Sequence, residues 1–291
     1  MNEIDNIISG FFEPTIREYI GKIPVGKRLR SRLICAIAKN SDRRFFLSAI
    51  VETIHLASLL HDDIIDDAKT RRGAPSVFVT DGAKKAILVG DIFYASAFAK
   101  LTEFESAIAE VIGKAVAKLA YGEFLDVKLS ESFNADRERY ENMIYLKTAA
   151  LIEASCEAAA ILANKDRESF RNFGRLLGVA FQTIDDVLDI THNETELGKP
   201  SLNDLSEGKV TLPLIDFYYA ADKNNQKKLI SLFGKTITKS DADWLRSVLE
   251  QSGSIARSRQ YAKELLDDAK SLVAGDDELS SVADALIRRI K

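Results

Sequence analysis

The sequence predicts an all-α protein, and three observations carry that prediction. The five prolines are Pro14, Pro24, Pro75, Pro200 and Pro213, so residues 76–199 hold none of the residue type that most reliably breaks a helix. Apolar residues recur at three- and four-residue steps along extended stretches, the spacing of one helical face. Alternation of apolar and polar residues between hairpin turns, the mark of half-buried strands, is not visible. Residues 46–68 place Ile50, Val51, Ile54, Ala57, Leu60 and Ile64 at that helical spacing. Residues 106–129 and 140–163 repeat the period with many alanines, which favour helix and let helices approach closely. Residues 168–193 predict another helix, and the region after Val210 several more, ending in a charged amphipathic helix around 277–290. No convincing linker divides the chain, so its 291 residues read as one domain spanning 1–291.

Hydrophobic residues make up 46% of the chain and charged residues 29%, ordinary for a globular protein. A net charge of −4 and a pI near 5.6 leave no broad basic excess for a nucleic-acid backbone, so a nucleic-acid partner is not expected. Basic residues do cluster locally, at Lys27-Arg28-Leu29-Arg30 and Arg71-Arg72, a scale that suits a small phosphorylated ligand. Cys35 and Cys156 lie in apolar helical contexts and read as buried small hydrophobes, with neither disulfide nor zinc spacing. The acidic start, Met1-Asn2-Glu3-Ile4-Asp5, has no apolar signal core, and no uninterrupted apolar run approaches membrane-span length. The expected location is the cytoplasm, with membrane contact at most peripheral, during product release.

Two copies of one acidic pattern stand far apart: Asp62-Asp63-Ile64-Ile65-Asp66 and Asp185-Asp186-Val187-Leu188-Asp189. On a helix the first and last aspartate of each copy share a face, and the middle one sits about 100° round from the first. Like charges at that spacing repel by roughly 0.2–0.5 kcal/mol on a bare helix, and a divalent cation reverses the sign. One such triplet alone would read equally well as a solvated acidic face. Two, both embedded among Ile, Leu and Val, point to hard oxygen ligands for Mg²⁺, with room left for water and phosphate. Asp267-Asp268 and Asp276-Asp277 lack this arrangement and read as surface. A basic, Gly- and Pro-containing loop follows each triplet, Lys69–Pro75 after the first and Gly198–Lys209 after the second.

The run LLHDDIIDDAKTRRGAP, from Leu59 to Pro75, resembles the first aspartate-rich motif of the trans-isoprenyl diphosphate synthases, the polyprenyl synthetase family, and FQTIDDVLDI resembles their second. Gly26-Lys27-Arg28-Leu29-Arg30, Lys147-Thr148 and GKPSLNDLSEGKVTLPL, from Gly198 to Leu214, support the match in family order. The resemblance, closest in character to long-chain members, implies a single-domain bundle of roughly ten or more helices around a central cavity. It implies a homodimer that condenses isopentenyl diphosphate with an allylic diphosphate. Asp62, Asp63, Asp66, Asp185, Asp186 and Asp189 would hold Mg²⁺, three ions per site with substrate bound. Arg71, Lys147, Gln182 and Lys199 would contact the allylic diphosphate, with Thr148 beside Lys147 and Lys209 joining them. Lys27, Arg30, His55 and Arg72 would hold isopentenyl diphosphate without metal. His61 and His192 read as structural.

This chain departs from the family pattern in places. Val25 and Ser31 stand where a second glycine and a proline are common, which predicts a changed turn with Lys27 and Arg30 still available. Gly122-Glu123 replaces a frequent Gly-Gln, and Phe78 replaces a polar residue; neither change has an account in the sequence. A terpene cyclase would carry Asn, Ser or Thr with Glu in its second metal motif. A four-helix di-metal oxidase would need two Glu-x-x-His motifs, and Glu52-Thr53-Ile54-His55 supplies one. A non-catalytic synthase subunit would usually lose an acid triplet. Ala57 and Ser58, five and four residues before Asp62, would form the first floor of a product tunnel, and both are small. That predicts a long, octaprenyl-like product, such as a quinone side chain, over a farnesyl or geranylgeranyl one.

Overall fold

A computed structural model describes residues 2–192 and 202–290. Helix dominates, as the proline gap and the apolar period predict. Two compact units share the chain: Met1–Ala117 with Leu151–Gly174, and Lys118–Ala150 with Arg175–Lys291.

The first unit opens with α1 (Asn2–Gly10), α2 (Pro14–Lys22) and α3 (Leu29–Ile37). Pro14 starts α2, where its missing N–H costs nothing. The long α4 (Arg44–Ile65) follows, then α5 (Val77–Asp81) and α6 (Ala83–Leu101). An apolar cluster that includes Ile8, Phe12, Ala57, Leu60, Val89 and Phe93 forms the core here. By length and composition α4 could cross a membrane, although Glu52 and His55 interrupt its apolar run. It is instead largely buried within the protein, and it carries Glu52, His55 and Asp62. Its end also differs from the predicted one. α4 stops at Ile65, so Asp66 caps the helix instead of lying inside it. The following loop holds a small antiparallel hairpin, with Thr70 opposite Pro75 and Arg71 opposite Ala74. Strands of two residues are too short to show alternation, which is why the sequence hid them.

α7 (Ser106–Leu129), α9 (Ala150–Leu162) and α10 (Arg167–Thr191) each have residues in both units. The second unit adds α8 (Arg137–Ile144) and a series of shorter helices: α11 (Asn203–Ser206), α12 (Leu212–Ala220), α13 (Lys223–Leu232), α14 (Lys239–Gln251), α15 (Ser254–Leu272) and α16 (Asp277–Ile287). The predicted single helix over 140–163 is broken, because Tyr145–Ala149 form a π turn between α8 and α9. Such turns insert one extra residue per turn and often mark functional positions. Side-chain caps fix several helix starts: Asp136 accepts from the Arg139 amide, Asp222 from Asn224 and Asn225, Thr238 from Asp241 and Asp276 from Leu279. The core is built around Val187, Leu205, Phe217, Leu245 and Leu249. The last helix ends at Ile287, and Arg288–Ile290 tighten into a 3₁₀ turn.

Candidate active site

In the first unit the acid triplet closes α4. Asp63 is buried, while Asp62 and Asp66 are half-buried. Arg71 Nε and Nη2 both donate to Asp63 Oδ1, at 2.7 and 2.5 Å. Burial raises the Asp63 pKa, and the Arg71 guanidinium opposes that shift. The hairpin explains why two adjacent arginines do different work. Arg72 and Gly73 occupy its turn, both with positive φ (52° and 80°), the pattern of a tight two-residue hairpin. Arg71 turns to Asp63. Arg72 Nη1 instead donates to the Pro24 carbonyl at 2.5 Å, and its guanidinium lies against Gly26, where any Cβ would collide with it. Gly26 therefore admits Arg72 to the Gly26–Arg30 segment, joining two motifs that are far apart in sequence.

Arg30 and His55 complete this basic set. Burial lowers the pKa of Arg30, with Arg72 adding to the effect. Burial also holds the His55 pKa well below 6.5, helped by Arg30, Arg72 and Arg71, so the imidazole is neutral near pH 7. Lys27 is exposed. In the turn before α3, Arg28 sits in the left-handed region, and its side chain pairs with Asp5. Ser31, in place of the proline, donates from both its amide (3.3 Å) and its hydroxyl to Glu52 Oε1. Phe78 also gains an account, since the Lys69 ammonium lies 5.1 Å from its ring centre. His61 is structural, with Nε2 3.2 Å from the Ile87 carbonyl and 3.5 Å from Asp91.

In the second unit the triplet lies inside α10. Asp186 is buried and accepts from Tyr140 Oη at 2.5 Å and Gln182 Nε2 at 2.8 Å. Thr148 donates to Gln182 Oε1 at 2.8 Å, so Thr148, Gln182 and Asp186 form one chain. Burial pushes Asp186 up to about 7; Asp185 and Asp189 add to it, and the Tyr140 and Gln182 bonds resist. Tyr140 is itself raised well above 10, by burial first and Asp186 second. Asp189 is buried and accepts the Asp204 amide at 3.2 Å, at the start of α11. Asp185 pairs with Arg289 at 2.6 Å, so the C-terminal turn reaches the triplet.

The π turn presents Lys147 to two carboxylates, Asp126 at 2.6 Å and Glu123 at 2.9 Å. Glu123 thus acquires a partner that its sequence position did not reveal. α7 approaches this turn so closely that a Cβ on Gly122 would overlap the Lys147 backbone. Lys209 pairs with Glu207 at 2.6 Å and lies 3.8 Å from Asp126. A cavity of about 110 Å³ opens among Tyr140, Lys147, Thr148, Gln182, Asp186 and Lys209. Lys199 lies outside the described residues.

Sequence reasoning missed Tyr140, Asp126, Asp204, Arg289 and Glu52. Tyr140, Asp126 and Arg289 are single polar residues outside the quoted motifs, Asp204 and Glu52 lie within quoted runs without a stated role, and for all five only folding supplies the partner. Cys156 is buried as expected, whereas Cys35 is half-buried, 3.6 Å from Ser48 Oγ. Asp267 and Asp268 are exposed. Among the described residues, no group of three or more His, Cys, Asp or Glu side chains is placed to hold a metal ion by itself. The aspartates supply hard oxygens that fit Mg²⁺, an ion that commonly keeps water and takes substrate phosphate oxygens to complete its shell.

The polyprenyl synthetase family model matches residues 14–251. The chain is 32% identical over 252 residues to an octaprenyl diphosphate synthase of Escherichia coli, covering 84% of this chain and 78% of that protein. It is 33% identical over 283 residues to a short chain isoprenyl diphosphate synthase of Methanothermobacter thermautotrophicus, covering 91% and 86%. Its fold matches the crystal structure of an octaprenyl pyrophosphate synthase from Helicobacter pylori with a TM-score of 0.92 and 37% identity, over 98% and 96% of the two chains.

Proposed function

Because the chain belongs to the polyprenyl synthetase family and is a prenyltransferase, we propose that it adds isopentenyl diphosphate repeatedly to an allylic diphosphate, giving a long all-trans polyprenyl diphosphate for quinone side chains. Support comes from the charged groups that each unit gathers among its described residues. The first brings Arg30, Arg72 and a neutral His55 near one another; the second links Lys147 to Asp126 and Glu123, and Asp186 to Gln182.

In this reading the isopentenyl diphosphate sits on Lys27, Arg30, His55 and Arg72 without metal. Arg is suited to phosphate because its planar fork donates to two oxygens at once. Neutral His55 can donate one hydrogen bond without adding charge. Asp62, Asp63, Asp66, Asp185, Asp186 and Asp189 would hold Mg²⁺, which when bound would neutralise charge developing on the leaving diphosphate. Arg71, Lys147, Gln182, Lys199 and Lys209 orient that diphosphate, and Thr148 fixes the Gln182 amide. Departure of diphosphate leaves an allylic cation, the isopentenyl double bond attacks it, and a proton is lost. Pairing with Asp126 and Glu123 keeps the Lys147 ammonium in place before substrate arrives, a preorganisation that lowers the reorganisation cost of ionisation.

The long product rests on Ala57 and Ser58. Ala57 is fully buried one helical turn before the triplet, and the Ser58 hydroxyl is folded back to the His55 carbonyl at 2.9 Å. Neither side chain has the bulk to stop a growing chain. A homodimer fits the apolar side chains that α6 exposes, among them Leu88 (60%), Ile92 and Phe98. A cytoplasmic enzyme with peripheral membrane contact would release such an apolar product.

The test is incubation with radiolabelled isopentenyl diphosphate, farnesyl diphosphate and Mg²⁺, with products resolved by reversed-phase chromatography. Long polyprenyl products that vanish in EDTA are expected. A main product of farnesyl or geranylgeranyl length would replace the long-chain reading, and no turnover would favour a non-catalytic subunit. Ala57→Tyr should shorten the main product to about farnesyl or geranylgeranyl length with ionisation intact, because a close-packed interior gives a new ring little room. An unchanged product from a folded, active variant would sink this placement of the tunnel.

A further inference from the structure

We propose that Ser31 is a positioning residue for the diphosphate of isopentenyl diphosphate, acting through Glu52; the inference rests on placing that substrate at Lys27, Arg30, His55 and Arg72. Glu52 is a buried carboxylate in the middle of α4, one turn before His55. Its charge acts on both Arg30 and Arg72. Left to turn, a carboxylate beside guanidinium groups would form short bidentate pairs with them and compete with the diphosphate for the same donors.

Ser31 opposes that competition. It is the third residue of α3, where a helix amide has no acceptor within its own helix. That amide and the hydroxyl beside it both donate to one oxygen, Glu52 Oε1. Two donors from one residue fix the carboxylate more tightly than either alone. Arg72 meanwhile spends a donor on the Pro24 carbonyl. Arg30 Nε is buried with no hydrogen-bond partner among the described residues, a donor that a ligand could satisfy. A proline at position 31 would supply neither bond to Glu52.

The test compares steady-state KM values for both substrates and calorimetric binding of isopentenyl diphosphate in EDTA. Ser31→Ala should raise the isopentenyl diphosphate KM and Kd about tenfold, on the scale of a hydrogen bond to a charged group. The allylic KM should move less than about twofold in the same variant. Ser31→Thr keeps the hydroxyl and should stay near wild type. Adding Glu52→Gln to Ser31→Ala should restore isopentenyl diphosphate binding, because a neutral amide does not compete for the arginines. Circular dichroism and the melting midpoint check that each variant is folded. Unchanged isopentenyl diphosphate binding in Ser31→Ala, equal effects on both substrates, or no recovery on adding Glu52→Gln would overturn the proposal. Arg30→Ala separates the two levels. If it weakens isopentenyl diphosphate binding while Ser31→Ala does not, only the role of Ser31 fails. If Arg30→Ala also leaves that binding intact, the assignment of the substrate to this basic set fails, and the role of Ser31 with it.

Discussion

At the end of α4, Asp63 meets a guanidinium; within α10, in its last two turns, Asp186 meets a phenol and an amide. The two triplets are spelled alike and are solved differently. The first lies where its helix is ending, so its third aspartate is a cap and a hairpin can bring Arg71 back to the second. The second lies within a continuous helix, where Asp186 accepts from Tyr140 and Gln182 and Asp185 pairs with Arg289. A buried carboxylate paired with a cation keeps its charge more readily than one given only neutral donors. The difference shows that a repeated motif can place the same carboxylates at helical spacing without fixing which groups hold them.

The largest effect should come from asking whether both triplets are needed. Asp62→Ala or Asp185→Ala should each lower turnover by about 10²–10⁴-fold, as loss of a group stabilising leaving-group charge would. Both variants should remain folded and helical. Full activity in both, or in EDTA, would rule out the metal-assisted mechanism. Normal activity in just one would show that the triplets are unequal in function as well as environment.

Much of the site was legible because its residues repeat a short pattern at helical spacing. Asp62, Asp63 and Asp66 could be placed near one another from their numbers alone, as could Gln182 and Asp186 one turn apart. Long-range partners could not. Tyr140 and Asp186 are separated by 46 residues, and nothing local to either marks the pair. The π turn at Tyr145–Ala149 has a sequence that reads as ordinary helix, so its presentation of Lys147 emerged only from packing against Gly122. The hairpin after α4 was hidden for another reason: two-residue strands carry no period.

Two glycines sharpen the comparison at the next level of effect. In the second unit, an alanine at Gly122 would collide with the backbone of Lys147, which cannot swing aside. Gly122→Ala should destabilise the fold by about 1–3 kcal/mol or more, read as a lower urea midpoint, and should weaken allylic substrate use. In the first unit, an alanine at Gly26 would meet only the tip of the Arg72 side chain. Gly26→Ala should leave the midpoint nearly unchanged and raise the KM for isopentenyl diphosphate. The reverse pattern would mean that Arg72 is a structural anchor and the π turn can adapt.

Removing the Tyr140 hydroxyl should have a smaller effect. Tyr140→Phe takes one of two side-chain donors from a buried carboxylate and should cost about 1–3 kcal/mol at pH 8, where Asp186 is ionised. At pH 5 the cost should shrink, because a protonated Asp186 depends less on an outside donor. An equal cost at both pH values would show that Tyr140 acts through packing alone.

The smallest effect is a pair of opposed pH slopes, measured by urea unfolding in EDTA. His55 has a folded pKa well below its ordinary 6.5, so below about pH 6.5 the unfolded chain binds more protons at this residue than the folded one. Its contribution therefore makes stability rise with pH up to about 6.5 and stay level above. Asp186 works in the other direction. Its pKa is about 7 when folded and near 3.8 when unfolded, so between those values the folded protein binds more protons, and stability falls as pH rises. Between about pH 4 and 6.5 the two contributions oppose one another and flatten the profile. His55→Gln should tilt it downward with rising pH, and Asp186→Asn should tilt it upward, each by no more than about one proton in slope. The remaining carboxylates contribute a common background to all three proteins, so the differences between profiles carry the result. Tilts of the same sign would show that the two units do not treat their buried titratable groups in opposite ways.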